Sequence, residues 1–150
     1  MLKEKDMEIL SHLRNNARKK VTEISKKVKM PVTTIYDRLK THDKKGIVKK
    51  HVALLDFSKL GYHATALVAL KVANEKKKEL QDYLSKHKNV NSLYRVNFDH
   101  DFLAEVIFED VSKLQEFVDL LGFKFGVENP RIFNIINEIH KEKFLTNLEL

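Results

Sequence analysis

The sequence predicts an α+β protein in two parts: three short helices and a hairpin, then a β-α-β-β-α-β half. Three observations predict it. Apolar residues recur at helical spacing as far as Gly46, continuous and alternating apolar runs take over near Gly61, and the charge changes at the same place. Residues 1–60 carry 16 Lys and Arg against 7 Asp and Glu, a net of +9, whereas residues 61–150 carry 12 against 14, a net of −2. A basic first part suits a polyanionic partner, and a slightly acidic second part suits assembly or sensing.

Composition narrows the classes further. With 43% hydrophobic and 33% charged residues, the chain reads as globular rather than disordered. No apolar run approaches the roughly 20 residues of a membrane-spanning helix, so no membrane role is expected. The start "MLKEKDMEIL" lacks the apolar core of a signal peptide, and a cytoplasmic location is expected. The chain has no cysteine, which excludes disulfides and thiolate metal sites and agrees with that location.

The elements follow in order. From Lys5 to Asn16, Met7, Leu10 and Leu13, with Ile9 beside them, recur at helical spacing. The basic patch "NNARKK" ends that helix, and Val21, Ile24 and Val28 mark one face of a second. Pro31 punctuates, being tolerated only in a first helical turn. Thr33 and Thr34 lead into a third helix with Ile35 and Leu39 inward, and Gly46 ends it behind Lys44 and Lys45, which suit a helix C-terminus. "IVKKHVALLDF" alternates imperfectly and reads as a strand or short hairpin. Helices and hairpin together make a winged helix-turn-helix over residues 1–55.

Past a short linker at 56–61, "HATALVALKVA" reads as a buried strand and "EKKKELQDYLSKHKNV" as an amphipathic helix with Leu80, Tyr83 and Leu84 on one face. "NSLYRVNF" and "FLAEVIFE" are strands separated by the tight "DHD" at Asp99–Asp101. "DVSKLQEFVDLLG" is a helix that Asp110 or Ser112 can cap, and its inner face holds Leu114, Phe117, Val118 and Leu121. "RIFNIINEI" is a last strand. This order over 62–150 is the ferredoxin-like split arrangement.

At this point the chain resembles the Lrp/AsnC (leucine-responsive, feast/famine) family of transcription regulators along essentially its full length. The matching residues are "DMEIL", "EIS", the spacing from Arg38 to Gly46-Ile47, "LGY" at 60–62 and "GVENPRI" at 126–132, together with the order of both parts. The resemblance implies that the helix-turn-helix binds double-stranded DNA and regulates transcription. It implies that the second domain pairs through its sheet into homodimers, in some members octamers, and in many members binds an amino acid between subunits. Three positions depart from the pattern. Pro31 stands where the family has serine, so either Thr33 is the cap or the helix starts one turn differently, and His42 stands where leucine is usual. In the family's Gly-x-x-Asp turn, here "FDHD", Phe98 replaces the glycine while Asp101 keeps the aspartate. Glycine there permits unusual backbone angles that phenylalanine restricts, so the amino-acid site is not carried over and Asp101 is its only matching position.

On the third helix, Thr33, Thr34, Tyr36, Asp37, Arg38 and Lys40 are expected to face DNA. Hydroxyls and threonine methyls suit base edges or phosphates, and arginine or lysine suits guanine or phosphate. Asp37 accepts from a cytosine amine or orients Arg38. Lys44, Lys45, Lys49 and Lys50 suit phosphates; the bland alternative for surface lysines is solubility. "DHD" reads as a polar turn rather than a metal site, and the histidines His12, His51, His63, His87 and His140 lack ligand spacing. No glycine-rich phosphate loop and no nucleophile-and-base pattern is present, so neither an enzyme nor a cofactor is expected. Phe98, Phe102, Phe108, Phe117, Phe123, Phe125 and Phe133 are expected to be mostly core, the alternative for some of them being the sheet-to-sheet dimer contact that the resemblance implies. The function expected is a sequence-specific, homo-oligomeric DNA-binding regulator, with modulation by a small molecule left open. The alternative is an architectural, chromatin-like DNA binder of the same fold, which the lysine majority of the basic part supports; a vestigial helix-turn-helix on a ligand-binding assembly domain is a further rival.

Overall fold

In the computed structural model, which describes residues 2–149, the chain divides into two compact units. One comprises the chain up to Leu54 together with the segment from Ile139 onward; the other is Leu55–Glu138.

The first unit is built on α1 (Glu4–Asn15), α2 (Val21–Val28) and α3 (Val32–Lys44). Glu4 and Asp6 in the first turn of α1, and His12 and Arg14 in its last, match the sign of the helix dipole at each end. Ile9, Ile24, Val28 and Ile35 meet as a fully buried core, with Leu13, Val21, Met30 and Leu39 packed on it. The turn between α2 and α3 closes at Lys29, whose φ of 60° is the left-handed conformation usual for glycine at a helix C-terminus. Pro31 then occupies the N-cap of α3 with its φ of −59° and offers no side-chain bond. Thr33 lies inside the first turn and caps nothing, because proline starts the helix by fixing φ rather than by hydrogen bonding. At the other end the chain reverses through Gly46 at φ 72°.

The expected hairpin is absent. After a bend at Ile47 and Val48, the described chain from Lys49 to Asp56 forms no strand, and Val52, Leu54 and Leu55 are exposed. The alternation of "IVKKHVALLDF" had neither a second strand to pair with nor a face to bury, so the first unit is a helix-turn-helix without a wing. The tail from Ile139, which the 62–150 boundary placed with the second part, instead meets α1. Arg14 Nε donates to the Phe144 carbonyl at 3.0 Å, Arg14 Nη1 pairs with Glu142 at 3.0 Å, and Asn15 donates to the Thr146 carbonyl.

The second unit follows the expected order: β1 (Ala64–Leu70), α4 (Lys77–Lys86), β2 (Val90–Arg95), β3 (Phe102–Phe108), α5 (Val111–Phe125) and β4 (Arg131–Asn134). The strands form one antiparallel sheet in the order β2-β3-β1-β4, so the ferredoxin-like topology holds. Alternate residues of β1 and β3 point to the helices, with smaller opposite larger in register at two places: Ala64 faces Phe108 and Ala104 faces Val68. Leu80 and Leu84 of α4 and Leu114, Phe117, Leu121 and Phe125 of α5 complete that core. Asp110, not Ser112, caps α5, accepting from the Lys113 backbone N–H at 2.9 Å. Of the aromatic set, Phe102, Phe108, Phe117 and Phe125 are core, whereas Phe98, Phe123 and Phe133 are exposed. The linker carries a short 3-10 turn at Phe57–Leu60, closed by Gly61.

Candidate nucleic-acid interface

The α2–turn–α3 arrangement presents one face of α3 to solvent. Thr33, Tyr36, Asp37, Lys40 and Lys44 recur there at spacings of three and four, so they share that face. Thr34 is half-buried, turned part-way to the core. Lys44, Lys45, Lys49 and Lys50 are exposed where the helix ends and the segment after it begins. Among the described residues, Lys40 and these four lysines make no ion pair, so their charge is available to a polyanion.

Arg38, expected on the DNA face, has a partner within the fold. Its Nη1 lies 2.8 Å from Oδ2 of Asp6 on α1, and Asp37 is not its partner. Asp6 is only 5% exposed, and its other oxygen, Oδ1, sits 3.2 Å from Nε2 of His42, itself 2% exposed. That second contact is not aligned as a hydrogen bond, and neither ring nitrogen of His42 has another partner. Burial by itself would raise the Asp6 carboxyl, but the Arg38 hydrogen bond and charge, then His42 and the Lys3 backbone, outweigh it and hold the group below the usual carboxylate value. Arg38 and His42 are one turn apart on α3, so a single carboxylate bonds one turn of that helix and lies against the next. Sequence reasoning missed Asp6. The signal was present: Asp6 stands in line with Ile9, Leu10 and Leu13 at the helical period, on the face that is buried.

In the second unit, Phe98 takes a φ of 62° in the turn between β2 and β3, with its side chain 94% exposed. Phenylalanine thus takes the glycine-like angle in spite of the restriction expected of it. The backbone follows the left-handed path a glycine would take at the cost of crowding between Cβ and the backbone carbonyl, and the ring, turned to solvent, adds no further clash. Asp101 is a brace. Its Oδ2 accepts from the Val72 N–H at 2.9 Å and its Oδ1 pairs with Lys77 at 3.2 Å, tying the turn to the start of α4. Burial opposes ionisation of Asp101, but the Val72 N–H and then Lys77 and Lys71 prevail, so its carboxyl also lies below the usual value. A separate groove of about 650 Å³ opens among the 3-10 turn, β3 and α5, floored by Phe57, Ile107, Phe108 and Phe117 and rimmed by Lys88, Lys113 and Glu116. Asp101 is not part of it.

A helix-turn-helix with a free basic face, beside a separate ferredoxin-like unit, defines a DNA-binding transcription regulator with an effector domain. The model of the AsnC-type helix-turn-helix domain matches residues 2–41, and that of the Lrp/AsnC ligand-binding domain matches residues 65–143. The chain belongs to the Lrp/AsnC family, whose members are transcription regulators and not enzymes. It is 30% identical to the HTH-type transcriptional regulator FL11 of Pyrococcus horikoshii over 94% of this chain and 93% of that protein. It is 31% identical to the HTH-type transcriptional regulator PF1734 of Pyrococcus furiosus, over 93% of each. Among solved structures, LrpC of Bacillus subtilis superposes with a TM-score of 0.84 at 20% identity, covering 93% of this chain and 98% of that one. The regulator NMB0573 of Neisseria meningitidis, solved as its L-Met complex, gives a TM-score of 0.86 at 23% identity over 94% of each chain. Among the described residues, no helix is long and apolar enough to cross a membrane.

Proposed function

We propose that the protein acts as a homo-oligomer in which the α3 helices of two copies enter successive major grooves of a pseudo-palindromic DNA site. Thr33, Tyr36, Asp37 and Lys40 face the bases, with Thr34 and Arg38 behind them, and Lys44, Lys45, Lys49 and Lys50 meet phosphates. The observation that carries this reading is the outward face of α3, where hydroxyl, aromatic and unpaired cationic groups stand together. Pairing of copies is supported by the sheet face opposite the helices. Leu67, Leu103, Tyr94 and Phe133 form an apolar patch there, with Leu67 opposite Phe133 and Tyr94 opposite Leu103 in register.

The effector is a small molecule held by the second unit. The L-methionine in the Neisseria structure makes an amino acid the first class to try. The free basic face favours specific reading over an architectural role, because the cations flank groups able to read bases rather than replacing them. The experiment is a comparison of wild type with Tyr36→Ala and with Lys49→Ala on a selected and a random duplex. Tyr36→Ala is expected to weaken the selected duplex alone, and Lys49→Ala to weaken both equally and lower the salt slope by about 0.9. Equal, sequence-independent losses for both variants would favour the architectural reading.

A further inference from the structure

We infer that Asp6 is a positioning residue for DNA reading: it withdraws the Arg38 charge from the DNA face and fixes the rotation of α3 about its own axis. This rests on the role proposed above for α3. Three observations carry it. The Asp6 carboxylate is buried and bonded to Arg38 at 2.8 Å, so the cation nearest the middle of α3 is neutralised from within the fold. Its other oxygen lies 3.2 Å from Nε2 of buried His42, one turn further along the same helix, so the carboxylate packs against two turns while its hydrogen bond goes to Arg38. The backbone N–H groups of Ile47 and Val48 both donate to the His42 carbonyl, at 2.9 and 3.3 Å, so the residue packed against Asp6 also anchors the chain where it leaves α3. Turning α3 by one residue, about 100°, would carry Tyr36 and Lys40 away from the outward face. The carboxylate opposes that turn, because it would leave a buried charge unpaired.

The consequence is a division between the cations of the basic part. Lys40, Lys44, Lys45, Lys49 and Lys50 neutralise phosphates, while Arg38 decides which side chains face the bases without touching DNA.

The test uses the full chain, a duplex recovered from a random pool on the wild-type protein, and a random duplex of equal length, each titrated across salt. Arg38→Met is expected to keep the wild-type salt slope on both duplexes while lowering affinity for the selected duplex about tenfold, the weight of one ordinary base position. A slope lower by about 0.9 would mean that Arg38 contacts a phosphate, and would overturn the inference. Asp6→Asn, which loosens Arg38, is expected to steepen the slope on random DNA by about 0.9 and to narrow the gap between the duplexes, with Asp6→Glu restoring both. An Asp6→Asn protein that melts cooperatively with slope and gap unchanged would also overturn it. Should Asp6→Asn fail to fold, the slope of Arg38→Met decides alone. Failure of wild type to retain any DNA would overturn the proposed function itself, an outcome distinct from a changed slope in one variant.

Discussion

At the scale of residues, Lys29 and Phe98 hold left-handed backbone that glycine adopts without strain. Neither side chain lies in the core, so Lys29→Gly and Phe98→Gly are each expected to stabilise by about 1 kcal/mol, read as a higher denaturation midpoint. Asp101→Asn is expected to cost about 1–3 kcal/mol in the second unit, because Lys77 loses its counter-charge and the turn its brace. Acid should act through the same groups. Asp6 and Asp101 have lowered folded values, so the stability they supply is complete above the ordinary carboxylate range and is lost as pH falls below about 4. His87 is lowered first by burial and then by Lys88, so the unfolded chain takes that proton more readily, and stability should begin to fall below about pH 6.5. Urea midpoints from pH 7 to pH 2 would show both limbs, and Asp101→Asn should flatten the lower one.

At the scale of elements, the helix-turn-helix rests on few side chains. Ile35→Ala removes one of its fully buried anchors and is expected to cost about 2–5 kcal/mol, unfolding that unit at moderate temperature while the second core still melts cooperatively. Scanning calorimetry would resolve the two transitions. What the sequence made legible follows from the same physics. Helices with a full apolar stripe, and strands whose alternate residues enter a core, such as "ATALVAL" and "FLAEVIF", declare themselves by period. The missing wing did not, because valine-rich alternation looks the same whether or not a partner strand exists. The positive φ of Phe98 was hidden for a related reason: nothing in a residue type announces a strained turn that costs only about 1–2 kcal/mol. The outward lysines of the site were legible from charge alone. The engagement of Arg38 was not, since its partner Asp6 lies 32 positions away and on another helix.

At the scale of the whole molecule, the open sheet face and the α3 face serve one action if two copies join. Leu67→Glu combined with Phe133→Glu places like charges in register on that face, and is expected to shift the sedimenting species to monomer. Because each half-site would then be bound alone, affinity for a two-half-site duplex should fall by ~100-fold or more, while affinity for a single half-site should hold. The most direct measurement of the central claim is a selection of random duplex DNA on the purified wild-type protein, with the recovered pool titrated across salt. The expected result is a pseudo-palindrome with half-sites about one helical turn or a multiple of it apart, bound about 10³-fold or more above random DNA. A pool with no enriched sequence, or a protein that retains no DNA at low salt, would contradict it.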